Sequence, residues 1–279
     1  MSATTVAKGD LKESLKERLR RRSPGLVNAW RTSKARYYDW KWRRIRERCG
    51  RLAAAIAQRH GMQVLNGPFQ RLVYVPEAFP LHAAPKLLGC YEAELHPIVE
   101  RIIRRNYAEI LDVGSAEGYY AVGLARRMPA TRIVAFDTDP GARELLHRMV
   151  EVNGVAEQVT ICEFCDPAKL QERLTPDTLL FADCEGYETT LLDPEQAPAL
   201  RTCDILVELH DCLQPGVTGA VLPRFQSTHS IALIGQQPRT PSDWRGVEGL
   251  SRRNQALAVR EIRAGPQQWA FLTTHKHSG

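Results

Sequence analysis

From residue 109 onward, short apolar runs alternate with amphipathic stretches. The apolar runs predict strands at 109–114, 132–137, 159–164, 178–183, 204–210, 230–235 and 268–274. Helical spacing between them predicts helices at 118–128, 141–153, 167–174, 187–200 and 217–226. Runs that are apolar throughout fit strands covered on both faces, and strict strand–helix alternation implies a mostly parallel sheet. Upstream the pattern differs. Leu11, Leu15 and Leu19 recur every four positions and make one narrow apolar stripe, broken at Ser23-Pro24-Gly25. A second helical run, 26–59, mixes Trp30, Tyr37, Tyr38, Trp40 and Trp42 with many arginines. Residues 61–105 carry Pro68, Pro76, Pro80 and Pro85 and close on a helix from about Glu92 to Arg105. The expected division is a helical arm at 1–60, a connecting or lid segment at 61–105, and an α/β domain at 106–279.

Charge sharpens this division. The chain of 279 residues has a formal net charge of +6. Residues 1–50 hold fifteen Lys or Arg against five Asp or Glu, so the remainder is mildly acidic. A basic arm with interleaved aromatics can grip nucleic acid, lie on an anionic membrane surface, or pack on its own domain or a second subunit as a homodimer contact. No run of 18 apolar residues occurs and the N-terminus lacks the apolar core of a secretion signal, so a cytoplasmic location without a transmembrane segment is expected. Seven scattered cysteines fit reduced thiols, and the Cys162/Cys165 pair has no second pair at zinc-site spacing.

The most informative stretch is EILDVGSAEGYYAVGLARRMPATRIVAFDTDP, residues 109–140. Its order is strand, glycine loop, helix, strand, acid, the first half of a nucleotide-binding α/β unit. A dinucleotide loop wants G-x-G-x-x-G, with a pyrophosphate on amides at the helix start. Here Gly114 and Gly118 frame Ser115, Ala116 and Glu117, so the middle glycine is missing and a carboxylate stands where a diphosphate would sit. That suits a cationic nucleoside such as S-adenosylmethionine. Two acids follow the second strand. Asp139 precedes Pro140 and a helix, the signature of an N-cap, which leaves Asp137 as the ribose ligand.

Open α/β sheets bind ligands beyond the carboxyl ends of their strands. Strand four ends in Asp183-Cys184-Glu185-Gly186-Tyr187-Glu188, and strand five in Glu208-Leu209-His210-Asp211. Together with DVGSAEGYYAVGLA and VAFDTDP, and with Gly89, Tyr91 and Glu92 upstream, these segments resemble the FkbM-type methyltransferases over about residues 89–235. Asp137 departs from that pattern, where the family carries Glu; so do Ala116-Glu117, the basic arm and the last 45 or so residues. The resemblance implies a Rossmann-like class I methyltransferase fold with a seven-stranded, mostly parallel sheet and helices on both faces, the last strand inserting antiparallel beside strand five. It implies S-adenosylmethionine held by Asp112, Gly114, Ser115, Gly118, Tyr119, Asp137, Asp166 and Glu92. It further implies methyl transfer to a hydroxyl of a small-molecule or glycosyl acceptor, with His210, Asp183 and Glu185 as the catalytic groups. For Asp166, capping the helix behind Pro167 competes with reading adenine. No metal is expected, although Asp183, Glu185, His210 and Asp211 include donors for magnesium or manganese. An RNA ribose methyltransferase using the arm, and a non-catalytic nucleoside-binding protein, remain the alternatives.

Overall fold

The structure is a computed structural model describing residues 24–75, 81–263 and 265–275, with side chains placed from residue 40 onward. The Leu11, Leu15 and Leu19 stripe lies outside the described residues, as do the side chains of Trp30, Tyr37 and Tyr38. The chain divides into two units, residues 1–48 and 49–279, and helix α1 (Pro24–His60) runs through the boundary. No helix among the described residues is long and apolar enough to cross a membrane.

The second unit is built on one seven-stranded sheet. Its strands are β1 (Glu109–Val113), β2 (Arg132–Phe136), β3 (Val159–Cys162), β4 (Thr178–Ala182), β5 (Asp204–Leu209), β6 (His229–Gly235) and β7 (Gln268–Thr274). Their order is β3-β2-β1-β4-β5-β7-β6. Strands β1 to β5 are parallel, while β7 lies antiparallel between β5 and β6. This is the Rossmann-like sheet that the resemblance implies, including the inserted last strand. Side chains alternate across it. Ile110, Ile133, Leu179 and Leu206 enter one core, and Leu111, Val134, Leu180 and Ile205 enter the other. Residues of the 61–105 segment, such as Leu72, Tyr74, Leu87 and Leu95, are buried in the first of these cores.

The helices of this unit are α2 (Ala83–Leu88), α3 (His96–Arg105), α4 (Tyr119–Arg127), α5 (Pro140–Asn153), α6 (Pro167–Arg173), α7 (Glu188–Leu191), α8 (Val217–Val221) and α9 (Arg252–Ala258). Asp139 caps α5 by accepting from the Gly141 amide, and Gly154 closes it in the left-handed conformation, as read from the sequence. The predicted helix 187–200 is shortened to Glu188–Leu191. Asp193 accepts the Glu195 amide at 3.0 Å, and Pro194 and Pro198 cannot continue the ladder, so the chain turns and re-forms only a short 3-10 segment at Pro198–Arg201. Helices α2 and α9 have no counterpart in the hydrophobic pattern. All six residues of α2 are buried, which erases the amphipathic signal.

Two features place the site. Parallel pairing brings the carboxyl ends of β1 to β5 to one rim, and antiparallel pairing of Leu209 with Gln268 brings the start of β7 to the same rim. The connections reverse direction between β1 and β4, the switch point at which such sheets bind ligands.

Candidate active site

A cavity of about 690 Å³ opens at that rim, within the size range of small-molecule and cofactor sites. One end is lined by Gly114, Ala116, Glu117, Asp137, Asp139 and Phe164, and the other by Tyr91, Asp183, Glu208, His210 and Arg263.

The glycine loop forms the first wall. Gly114 has φ +88°, and a Cβ there would stand 1.7 Å from the Asp183 carbonyl oxygen. Only glycine lets β1 and β4 end this close together. The carboxylate of Asp137 accepts the Ala116 amide at 2.8 Å and the Asp139 amide at 2.8 Å. It is thus fixed against the loop at the cavity wall. Gly118 starts α4 at φ +91°, with Leu146 of α5 filling the space beside it.

Several residues expected at the cofactor stand behind the wall. Asp112 is 2% exposed; burial, with Asp183 and Asp137 nearby, pushes its carboxyl up to about 8. Ser115 directs its hydroxyl to the Phe136 carbonyl at 3.3 Å. Tyr119 sits in an aromatic cluster with Phe69, Tyr74, Tyr91 and Tyr120. Asp166 caps α6 through the Lys169 amide at 2.9 Å, the capping role weighed against adenine reading. Glu92 is buried, accepts from Tyr120 at 2.6 Å and pairs with Arg263. None of these five lines the cavity.

Glu117 is also recast. Its side chain is fully buried, paired with Lys86 and accepting from the Tyr74 hydroxyl at 2.9 Å. Lys86 in turn lies 4.7 Å from the centre of the Tyr91 ring. The carboxylate is therefore neutralised within the protein rather than offered whole to a ligand. Lys86 came with no sequence signal, because its partner lies 31 residues away.

At the other end, His210 and Asp183 come together as the sequence suggested. His210 Nδ1 lies 2.6 Å from Glu188 Oε1. Glu188 is fully buried and also accepts the Gly186 amide at 2.9 Å. Burial opposes its ionised form, but the bonds from His210 and the backbone outweigh that and hold it below the usual carboxylate range. A carboxylate can only accept, so Nδ1 carries the proton. His210 Nε2 then faces Asp183 Oδ1 at 3.4 Å and Glu208 Oε1 at 3.6 Å. Burial works against the imidazolium, yet Glu188 and Asp183 outweigh it and raise the histidine above its ordinary value. Burial, with Glu92 nearby, pushes Asp183 up to about 7. Burial, with Asp183 and Glu92, pushes Glu208 up to about 10. Its 2.9 Å ion pair to Arg263 favours the charged form and works against that rise. Glu185, also expected to be catalytic, is exposed at φ +48° and lines the cavity without contacting His210. Asp211 turns away to the Gly216 and Thr218 amides.

Comparison with known proteins adds a partial match. No protein-family profile matches the chain. It is 38% identical over 68 residues to a release factor glutamine methyltransferase of Geobacter sulfurreducens, covering 24% of this chain and 23% of that protein. The corresponding protein of Chlorobaculum tepidum is 37% identical over 54 residues, covering 19% of this chain and 18% of its own length. The chain thus matches about a quarter or less of the length of these curated relatives. Among solved structures, the O-methyltransferase TomG of Streptomyces achromogenes aligns at 17% identity and TM-score 0.44, over 66% of this chain and 79% of that one. An O-methyltransferase of Bacillus cereus aligns at 13% identity and TM-score 0.45, over 70% and 90%.

Several lining residues carried no sequence signal. Arg263 comes from a stretch without periodicity, and Phe164 meets Tyr187 of the strand-four end, rings 5.7 Å apart, only because β3 and β4 end on one rim. Glu188 did have a signal, as the last acid of the strand-four end Asp183-Cys184-Glu185-Gly186-Tyr187-Glu188.

Proposed function

We propose that the protein is an S-adenosylmethionine-dependent O-methyltransferase of FkbM-like type, acting on a hydroxyl of a small-molecule or glycosyl acceptor. The observation that carries this reading is the position of Asp137. It follows the second strand, its two oxygens are oriented by the Ala116 and Asp139 amides, and it faces the cavity beside Gly114. A carboxylate so placed accepts both ribose hydroxyls of a nucleoside lying across β1 and β2. The residues fit that group: the cavity has room for it, and its acid-rich lining suits a cation better than a diphosphate. When bound, S-adenosylmethionine supplies a methyl group activated for in-line displacement.

The chain's own residues do the rest. The loop and Asp137 would hold the nucleoside, and the acceptor would meet the cavity residues at the ends of β4 and β5. Asp183 and His210 are the polar groups there, and the proton of the acceptor hydroxyl leaves through them. Glu188 holds the imidazole ring in one orientation. Alignment of donor and acceptor can contribute several kcal/mol of barrier reduction, about 7–11 for well-oriented intramolecular cases. The carboxylates of Asp137, Asp139, Glu163, Asp183 and Glu185 around the cavity weigh against a polyanionic acceptor, and so favour the small molecule over RNA. Calorimetric titration with S-adenosylhomocysteine and with NAD tests the reading: the first should bind and the second should not.

A further inference from the structure

The acidic end of the cavity is part of one continuous ion network. Arg239 joins Glu94 to Glu261, Arg263 joins Glu261 to Glu92 and Glu208, and His210 joins Glu208 to Asp183 and Glu188. Six carboxylates therefore meet two arginines and one histidine. Carboxyl groups outnumber the cationic groups that join them, and most of the network is buried. Asp183, Glu208 and His210 converge where it meets the cavity.

We propose that this point is a binding site for a divalent cation, with Asp183, Glu208 and His210 as its protein ligands. The proposal rests on the methyltransferase reading only for its consequence, not for its geometry. Three observations carry it. One donor atom from each residue lies within 4.8 Å of the others, the one such group of three among the described residues. A first-row divalent ion holds nitrogen and oxygen donors about 2.0–2.2 Å away, so neighbouring donors stand roughly 3–3.5 Å apart. The separations from Nε2, 3.4 Å to Asp183 and 3.6 Å to Glu208, are one within that range and one just beyond it, a small shift from a shared ion.

Second, the histidine is prepared as a ligand. Its Nδ1–H donates to Glu188 at 2.6 Å, which fixes the ring and directs the Nε2 lone pair at the two carboxylates. Metal-binding histidines are oriented by such a carboxylate behind them. Third, all three ligands line the cavity, so an ion has an entry path and open positions for an acceptor oxygen. Glu208 Oε1 also accepts from Arg263, and the second lone pair of a carboxylate oxygen is still available. One imidazole and two carboxylates suit Mn2+ or Zn2+ better than calcium. With the cation bound, His210 serves as a ligand. The acceptor hydroxyl binds the ion, becomes more acidic, and gives its proton to the outer oxygen of Asp183.

The test is a titration of the chelator-stripped full chain with MnCl2, followed by the six-line electron paramagnetic resonance signal of free Mn2+. The proposal expects saturable loss of that signal at one ion per chain, with ZnCl2 displacing the bound Mn2+. Asp183→Asn and His210→Ala should each weaken binding by about tenfold or more, as loss of groups at a metal site typically does. Asp183→Asn is nearly isosteric and its side chain is 35% exposed, so its fold, checked by circular dichroism, should persist. S-adenosylhomocysteine affinity, measured separately on the stripped protein, should remain. A free-ion signal unchanged by wild-type protein, or variants that bind Mn2+ as the wild type does, would overturn the site. Nucleoside binding without Mn2+ binding would remove this inference alone, and Mn2+ binding without nucleoside binding would remove the methyltransferase reading alone.

Discussion

His210 Nδ1 and Glu188 Oε1 stand 2.6 Å apart in the interior, at the tip of β5 and the start of α7. The pair explains why the turn after β4 has its form. Glu188 collects the Cys184 and Gly186 amides as well as the imidazole, so one carboxylate closes the turn and fixes the ring. Glu188→Gln keeps the shape but can present its amide nitrogen to Nδ1. Turnover should fall by about 10–100-fold, the usual effect of losing an orienting carboxylate behind a functional histidine. S-adenosylhomocysteine affinity should stay within a small factor of the wild type, as calorimetry beside steady-state kinetics would show.

Gly114 and Asp183 make the closest approach at the rim. A Cβ at position 114 would overlap the Asp183 carbonyl oxygen, and the φ of +88° already disfavours any L side chain. Gly114→Ala should therefore destabilise the fold by about 2–4 kcal/mol, combining overpacking with backbone strain. Thermal melting of the variant without ligand measures this, and an unchanged midpoint would mean that the two strand ends can separate at no cost.

The Lys86–Glu117 pair should behave as a buried ion pair. Lys86→Met leaves Glu117 charged and without its partner, at a cost of about 3–5 kcal/mol. Lys86→Met combined with Glu117→Gln should recover much of that loss, because the uncompensated charge is gone. Chemical denaturation of the two variants side by side reads the difference.

Two histidines should contribute a stability that is lost in mild acid, opposite in sign to the contribution of the raised carboxyls of Asp112, Asp183 and Glu208. His82 and His96 are both lowered to about 4, each mainly by burial. In the unfolded chain they titrate near 6.5, so between those values the unfolded state binds more protons. Their contribution is then full above about pH 6.5 and declines as pH falls towards 4, by of order 3 kcal/mol for each histidine. Going from pH 7 to pH 5, a His96→Gln variant should lose less stability than the wild type, or gain more, as denaturation midpoints of the two proteins at both pH values would show.

Much of the architecture was legible because fully buried parallel strands read as unbroken apolar runs. All seven strands fall within two residues of their expected positions. The glycine loop, Asp137 and the Asp139 cap were legible for a related reason: each is a local requirement of backbone geometry. Glu92, Tyr119 and Asp166 were harder. The resemblance assigns them to the cofactor, but which way a side chain faces depends on its partners, such as Arg263 for Glu92, the Phe69 ring for Tyr119 and the Lys169 amide for Asp166. The same limit hid Lys86, whose role exists only once α2 meets the loop. The helix expected at 187–200 failed because Pro194 and Pro198 outweighed the apolar spacing around them.

In the proposed reading a sulfonium nucleoside lies across the tips of β1 and β2 with its sugar on Asp137. Calorimetric titration of the wild type and Asp137→Ala with S-adenosylhomocysteine tests it most directly. The wild type should bind, and the variant should lose about tenfold or more, from two charge-assisted hydrogen bonds worth roughly 1.5–3 kcal/mol each. Equal affinity in the two proteins, or no binding by either, would contradict it.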